Sequence, residues 1–242
     1  MSLERPIGPG AEPPPVPAGA AQPGGTSQAV LLQILSTEHW SLLASRSLAW
    51  NESFSRAGMF LSTLSGAIVA LALVAQASEF GEGFRLFALV ILPVVLLVGI
   101  GTYLRMGISN YHDAMCVVGM NRIRAGYLQI APDAKRFFVM GTTDDEAGIN
   151  LTMAVQPQTS LLVQMFASTP LLVTVLNAIL AATIVALLML QLGADSVPAV
   201  VAGVGVFVLA MGAFVWYAGR DIARAVAEYE PIFPGAPPAE SA

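Results

Sequence analysis

Charge is scarce in this sequence. Asp, Glu, Lys and Arg supply 11% of its 242 residues, against about 25% in a typical soluble domain, which excludes an ordinary water-soluble fold for most of the chain. Lys135 is the only lysine among 11 basic residues, and the formal net charge is −5. No Lys/Arg run exists to neutralise phosphates, so nucleic acid is excluded as a partner. A single cysteine, Cys116, excludes an intrachain disulfide and a four-cysteine metal site. The first 25 residues lack the apolar core of a signal peptide. They are rich in Pro, Gly and Ala, cannot bury enough apolar surface to offset their ordering entropy, and read as a disordered tail. The stretch from Pro231 to the end reads the same way.

What the sequence has is hydrophobic length. Hydrophobic residues make up 55% of the chain and the mean hydropathy is +0.69. Four apolar stretches, at 57–77, 86–104, within 166–192 and at 197–218, carry no Asp, Glu, Lys, Arg or His. A helix of about 20 residues crosses a hydrocarbon core about 30 Å thick. The expected fold is therefore all-α, a polytopic membrane protein whose main partner is the lipid bilayer. The segments 78–85 and 193–196 are short and contain Gly, so they pair the four spans as two antiparallel hairpins. The excess of Arg over Lys, with abundant Ala, Val and Gly, is the bias of a GC-rich bacterial genome.

Arg46, Arg56, Arg105, Arg220 and Arg224 flank the spans on the side of the termini and the long 105–164 segment, and only Arg85 lies opposite. By the positive-inside rule this predicts an inner (plasma) membrane protein with both termini in the cytoplasm. Tyr103, Trp216 and Tyr217 fall at the cytoplasmic ends, where amphipathic rings prefer the headgroup level.

Outside the bilayer, Leu32, Leu35, Leu43, Trp50 and Phe54 recur at helical spacings and predict an amphipathic helix. Ser36 or Thr37 could break it by capping a new start at Glu38. It either continues the first span or lies on the membrane surface. A second stripe (Ile108, Tyr111, Met115, Val118, Ile123, Tyr127, Ile130) extends the second span by about 26 residues, or about 39 Å. The two stripes are expected to pack on each other as helical cytoplasmic extensions. Pro132 and Asp133 open a short helix, Thr142 to Asp145 cap another, Thr159 or Ser160 cap a third, and Pro170 is a candidate kink. The organisation is a tail (1–25), an amphipathic helix (26–56), a first hairpin (57–104), a cytoplasmic helical segment and loop (105–164), a second hairpin (165–218) and a C-terminal tail (219–242).

Candidate sites are few. Gly58, Ser62, Gly66 and Ala70 form a small-xxx-small ladder, and Gly203 stands with Ala199 and Gly205 in the fourth span. Such residues permit close helix approach, within the chain or between subunits. Asn177 is the most polar residue deep in a span, and its carboxamide seeks a partner such as Ser62, Thr63 or Ser65. No charged residue accompanies it, which argues against the relays of pumps. His112 and Cys116 share a helix face and His39 lies on the opposing helix, a possible zinc or thiol site. Chance placement in a polar stripe accounts for them more simply. The acidic run Asp144, Asp145 and Glu146 lacks the ligand spacing of a calcium loop and reads as a solvated capping turn. No phosphate-binding glycine loop, nucleophile elbow or zinc-protease helix is present, so no cofactor is implied.

The stretches TEHWSLLASRSLAWNESFSRAGMFLSTLSG (37–66) and NRIRAGYLQIAPDAKRFFVMGTTDDEAGI (121–149) resemble a group of uncharacterised bacterial four-span membrane proteins. The resemblance covers roughly a quarter of the chain and implies membrane location, with no activity or site residues. The leading expectation is a non-enzymatic membrane protein that forms a homo-oligomer through its small-residue faces and presents its cytoplasmic helices to a protein partner. A second reading is an oligomeric channel lined by the first span or Asn177. A third is a cytoplasmic-face enzyme or metal-binding protein built on His39, His112 and Cys116.

Overall fold

The computed structural model describes residues 27–154, 163 and 168–235. The tail 1–25 and the expected caps Thr159 and Ser160 lie outside the described residues. The fold is all-α. Its helices are α1 (Gln28–Ser78), α2 (Glu82–Ile130), a 3-10 helix (Pro132–Phe137), α3 (Glu146–Thr152), α4 (Thr169–Gln191) and α5 (Ser196–Ala227). Four of them are long and apolar enough to cross a membrane, and they pack as two hairpins, α1 with α2 and α4 with α5. The protein is a multi-pass membrane protein.

α1 is one unbroken helix of 51 residues, or about 76 Å. Its Ser27 side chain caps the start by accepting from the Val30 N–H at 3.3 Å, and no new start occurs at Glu38. The amphipathic segment thus continues the first span rather than lying on the membrane. α1 ends where Glu79 and Phe80 turn into the left-handed region at φ 49° and 59°. α2 runs for 49 residues and carries Pro93 internally without a break. Pro170 produces no kink: it falls in the first turn of α4, behind the cap Ser168, where a missing N–H costs nothing. The second hairpin closes over Gly193 at φ 87°, a conformation that a Cβ disfavours.

The hairpins join along α2 and α4. Phe60, Ala88, Leu92, Val95, Val173 and Leu180 form the core of that junction. At the turn end, Arg85 Nη1 donates to the Leu190 carbonyl at 3.2 Å. At the other end, the Tyr103 hydroxyl donates to the Phe214 carbonyl at 3.2 Å, and its ring packs edge-on to Phe214. Valines and leucines of α5 such as Val201, Val204 and Leu209 remain exposed, as lipid-facing side chains must be.

On the loop side, α1 and α2 continue together as a two-helix stalk, whose packing face keeps part of the expected stripes, with Val118 and Ile123 of α2 buried and Leu35 of α1 against Gly126, and drops the rest. Leu43, Trp50 and Phe54 of α1, and Ile108, Tyr111 and Met115 of α2, are exposed. The buried face of α2 instead carries Ser109, Asp113, Cys116, Val117, Met120 and Asn121. The physical reason is close approach: a Cβ on Gly119 would meet Leu42 Cδ1 at 2.7 Å, and one on Gly126 would meet Leu35 at 3.3 Å. Small residues and one buried ion pair bring the backbones together, so the bulky stripe residues nearer the membrane are left outside.

Candidate functional site

The stalk is held by two charged clamps. Arg46 donates from Nε to Asp113 Oδ1 at 2.7 Å, and Trp50 Nε1 donates to the same oxygen at 2.9 Å. Asp113 is 7% exposed, so two donors on one oxygen compensate a carboxylate largely withdrawn from water. Nearer the bilayer, Glu52 accepts from Arg105 Nε and Nη2, both at 2.8 Å, and from Arg56 Nε at 3.1 Å. The bonds from Arg105 and then Arg56 hold the Glu52 carboxyl down to about 2.

Beyond the stalk, Asn121 organises the loop. It is fully buried; its Nδ2 donates to the Thr143 carbonyl at 2.8 Å and its Oδ1 accepts from Thr152 Oγ1 at 2.7 Å and Arg124 Nη1 at 2.8 Å. Asp145 caps α3 by accepting from the Gly148 N–H at 2.9 Å, as the sequence predicts. Gly148 itself has no room for a side chain, because a Cβ there would collide with the Thr143 carbonyl oxygen.

Asp144 departs from the expectation of a solvated turn. It is 0% exposed, and its Oδ2 accepts from Arg122 Nε at 2.7 Å and the Ile232 N–H at 2.9 Å. Its Oδ1 accepts from the Phe233 N–H at 2.7 Å, and its own N–H donates to the Phe233 carbonyl at 3.2 Å. Tyr229 donates its hydroxyl to the Asp144 carbonyl at 2.8 Å, and the Gly235 N–H donates to Asp145 Oδ2 at 2.7 Å. Residues 231–235 are therefore a strap bonded across the loop, which corrects their reading as a disordered tail; residues 236–242 lie outside the described residues. Burial raises the Asp144 carboxyl, but the N–H groups of Ile232 and Phe233 and the Arg122 guanidinium more than offset it and hold it below the ordinary range.

The candidate metal or thiol constellation of His39, His112 and Cys116 does not assemble. His112 Nε2 and Cys116 Sγ are 3.9 Å apart. His39, however, lies on α1 between Leu35 and Leu42, which face Gly126 and Gly119. That places it at least about 10 Å along the stalk from His112. Among the described residues no group of three His, Cys, Asp or Glu side chains could hold a metal. Burial, then nearby Asp113, pushes the Cys116 thiol up, which disfavours the nucleophilic thiolate. Burial and then Arg124 push His39 down, and its Nδ1 is buried without a hydrogen-bond partner among the described residues.

Asn177 does not meet Ser62, Thr63 or Ser65, which are exposed on α1. It is fully buried, and neither amide atom has a partner among the described residues. It packs on Gly99 of α2, where Phe60 of α1 also converges. The neighbouring buried hydroxyls serve their own helices: Thr102 donates to the Val98 carbonyl and Thr174 to that of Pro170.

The small residues divide into two groups. Gly203 is packed within the chain, since a Cβ there would stand 3.1 Å from the Ala182 carbonyl oxygen of α4. Gly58 and Gly66 have nothing within 4 Å of an added Cβ. With Ser62 they lie exposed on the outer face of α1, while Ala70 is half-buried. Comparison with family models, with curated proteins and with solved structures finds no match to this chain.

Proposed function

We propose that this chain is a non-enzymatic membrane scaffold that self-associates through the outer face of α1 and displays its stalk and strapped loop to a protein partner. One observation carries the reading: α1 leaves a single continuous face uncovered from water into lipid. Outside the bilayer that face holds Trp40, Leu43, Trp50 and Phe54, of which Trp40 is 68% exposed and Trp50 sits at the edge, its indole N–H turned inward to Asp113. Their intervals of three, seven and four lead on to Gly58 and Ser62 four and eight residues later. Apolar side chains exposed to water favour a protein covering, and small residues in lipid favour a second helix at close range. A second copy of α1 satisfies both demands with one symmetric interface. The side chains Ile108, Tyr111 and Met115 of α2 then remain for a different protein. Arginine placement supports the cytoplasm of a cell membrane as the compartment of the stalk.

Cysteine crosslinking of the full chain in bilayers tests the reading. With Cys116 replaced by Ala, Ser62→Cys should form a disulfide dimer under oxidation, whereas Val204→Cys on the outer face of α5 should not. Ser62→Cys that stays monomeric at all lipid-to-protein ratios would overturn the scaffold.

A further inference from the structure

The uncovered face of α1 is not the only feature of the stalk that invites a ligand. Where α1 and α2 leave the bilayer, a cavity of about 250 Å³ opens between them, lined among others by Ser45, Leu48, Glu52, Arg105, Ser109 and His112. Its level is set by sequence: Arg105 is the first charged residue after the second span, two positions beyond Tyr103. Ser109 lies one turn farther, about 6 Å along the helix. Arg105 and Ser109 therefore line the end of the cavity that lies in the headgroup layer, which adds about 5–7 Å to each side of the hydrocarbon core, while Ser45 and His112 line its outer end.

The cavity's lining carries one carboxylate, Glu52, and one guanidinium, Arg105. Arg56 does not line it but also pairs with Glu52, so at this clamp one carboxylate faces two guanidiniums. The carboxylate accepts three N–H donors, while Arg105 spends only Nε and Nη2 on it. Arg105 Nη1 and the hydroxyls of Ser45 and Ser109 are left as donors at the cavity. Leu48 and Ile108 give it an apolar wall. Its volume falls just below the range of about 300–1,000 Å³ that holds drug-sized ligands, as suits one headgroup.

We infer that this cleft binds the phosphate of a membrane phospholipid, held by Arg105 Nη1 and the Ser109 hydroxyl, with the glycerol against Leu48 and Ile108. Guanidinium and hydroxyl donors are the groups that recognise a phosphate monoanion. A free phosphate ion offers the same chemistry, but the position at the membrane surface favours the lipid. This inference does not depend on self-association, since both walls belong to one chain.

Native mass spectrometry of the full chain, extracted from phosphatidylcholine nanodiscs doped with phosphatidylglycerol, tests it. The wild type should retain one phosphatidylglycerol. Arg105→Gln should lower retention by at least about tenfold, the loss of one charge-assisted hydrogen bond. Ser109→Leu and Ser45→Leu, which fill the cleft from opposite walls without changing charge, should do the same while circular dichroism stays helical. Arg220→Gln removes a charge on the same side of the membrane and should leave retention unchanged. Equal loss in Arg220→Gln, or retention in both helical leucine variants, would overturn the site. Displacement of the lipid by inorganic phosphate at similar concentration would assign the cleft to the free ion and overturn the lipid.

Discussion

Asn177 of α4 rests its amide against the bare backbone of Gly99 on α2, at the point where the two hairpins and Phe60 of α1 converge. A Cβ on Gly99 would collide with Asn177 Oδ1 and stand 2.7 Å from a Phe60 ring carbon. The amide obtains no conventional hydrogen bond in return. In lipid that arrangement is costly, because no neighbour among the described residues compensates the buried dipole.

Gly99→Ala should therefore destabilise the protein by about 1–3 kcal/mol through overpacking. Asn177→Ala should cost little, because it deletes an unsatisfied group whose burial is worth about 1–3 kcal/mol against folding. The double variant should recover part of the Gly99→Ala loss. Unfolding in mixed micelles measures all three, and coupling below about 0.5 kcal/mol would show that the two residues act independently.

The Glu52 clamp gives the stalk an acid limit. Its carboxyl is held from its ordinary 4.5 down to about 2, so the clamp is complete above the ordinary value and is lost as pH falls through the lower one. Spin labels at Ser47 and Asn110, both exposed, should report a narrow distance distribution at neutral pH that broadens as the medium is acidified through that window. Glu52→Gln should be broad already at neutral pH and lack that part of the transition. A pH response identical in both proteins would remove Glu52 as its origin.

The spans and hairpins were legible because charge-free runs of membrane length rarely occur outside a bilayer, and 78–85 and 193–196 are too short for anything but antiparallel neighbours. The stalk itself was legible, and so was the inward placing of Leu35, Val118 and Ile123, but the phase nearer the membrane was not. Helical periodicity put Leu43, Trp50 and Phe54 inward, whereas the structure packs Leu42, Ala49 and the Arg46–Asp113 pair. Periodicity weighs apolar character alone, and here glycines and a compensated charge allow the helices to approach more closely than bulky side chains would. The strap was illegible for a different reason. Asp144 and Phe233 are 89 residues apart, and a Pro/Gly segment anchored through its backbone carries no side-chain signature of being folded. One signal was available: an aspartate directly before the α3 cap, with Arg122 on the adjoining helix.

Asp144→Asn tests how firmly the strap is held. It removes the charge that pairs with Arg122 and weakens two backbone bonds at a fully buried position. A local loss of about 2–3 kcal/mol follows. Hydrogen exchange at Ile232 and Phe233 should accelerate by roughly a hundredfold, while the α4–α5 amides stay protected. Tyr229→Phe loses one hydroxyl bond to the Asp144 carbonyl and should cost about 1 kcal/mol. Because the Asp144 carboxyl is held below its ordinary value, the wild-type strap should persist through neutral pH and loosen only in strong acid.

Gly203 and Gly205 separate packing inside the chain from packing between chains. They lie two residues apart on α5, yet a Cβ meets the Ala182 carbonyl oxygen at 3.1 Å from Gly203 and nothing within 4 Å from Gly205. That carbonyl is helix backbone and cannot step aside as a flexible side chain would. Gly203→Val should therefore push α5 off α4 and lower stability by about 1–3 kcal/mol. Gly205→Val adds a methyl-bearing side chain to a lipid-facing surface, and should leave stability within about 0.5 kcal/mol of wild type. Gly66→Val on α1 should resemble Gly205→Val in its effect on monomer stability, because nothing among the described residues faces Gly66. It should differ in lowering the Ser62→Cys crosslinking yield. Unfolding and crosslinking measured on the three variants separate the roles: a Gly66→Val protein that is destabilised but still crosslinks would place that glycine inside the fold rather than at its boundary.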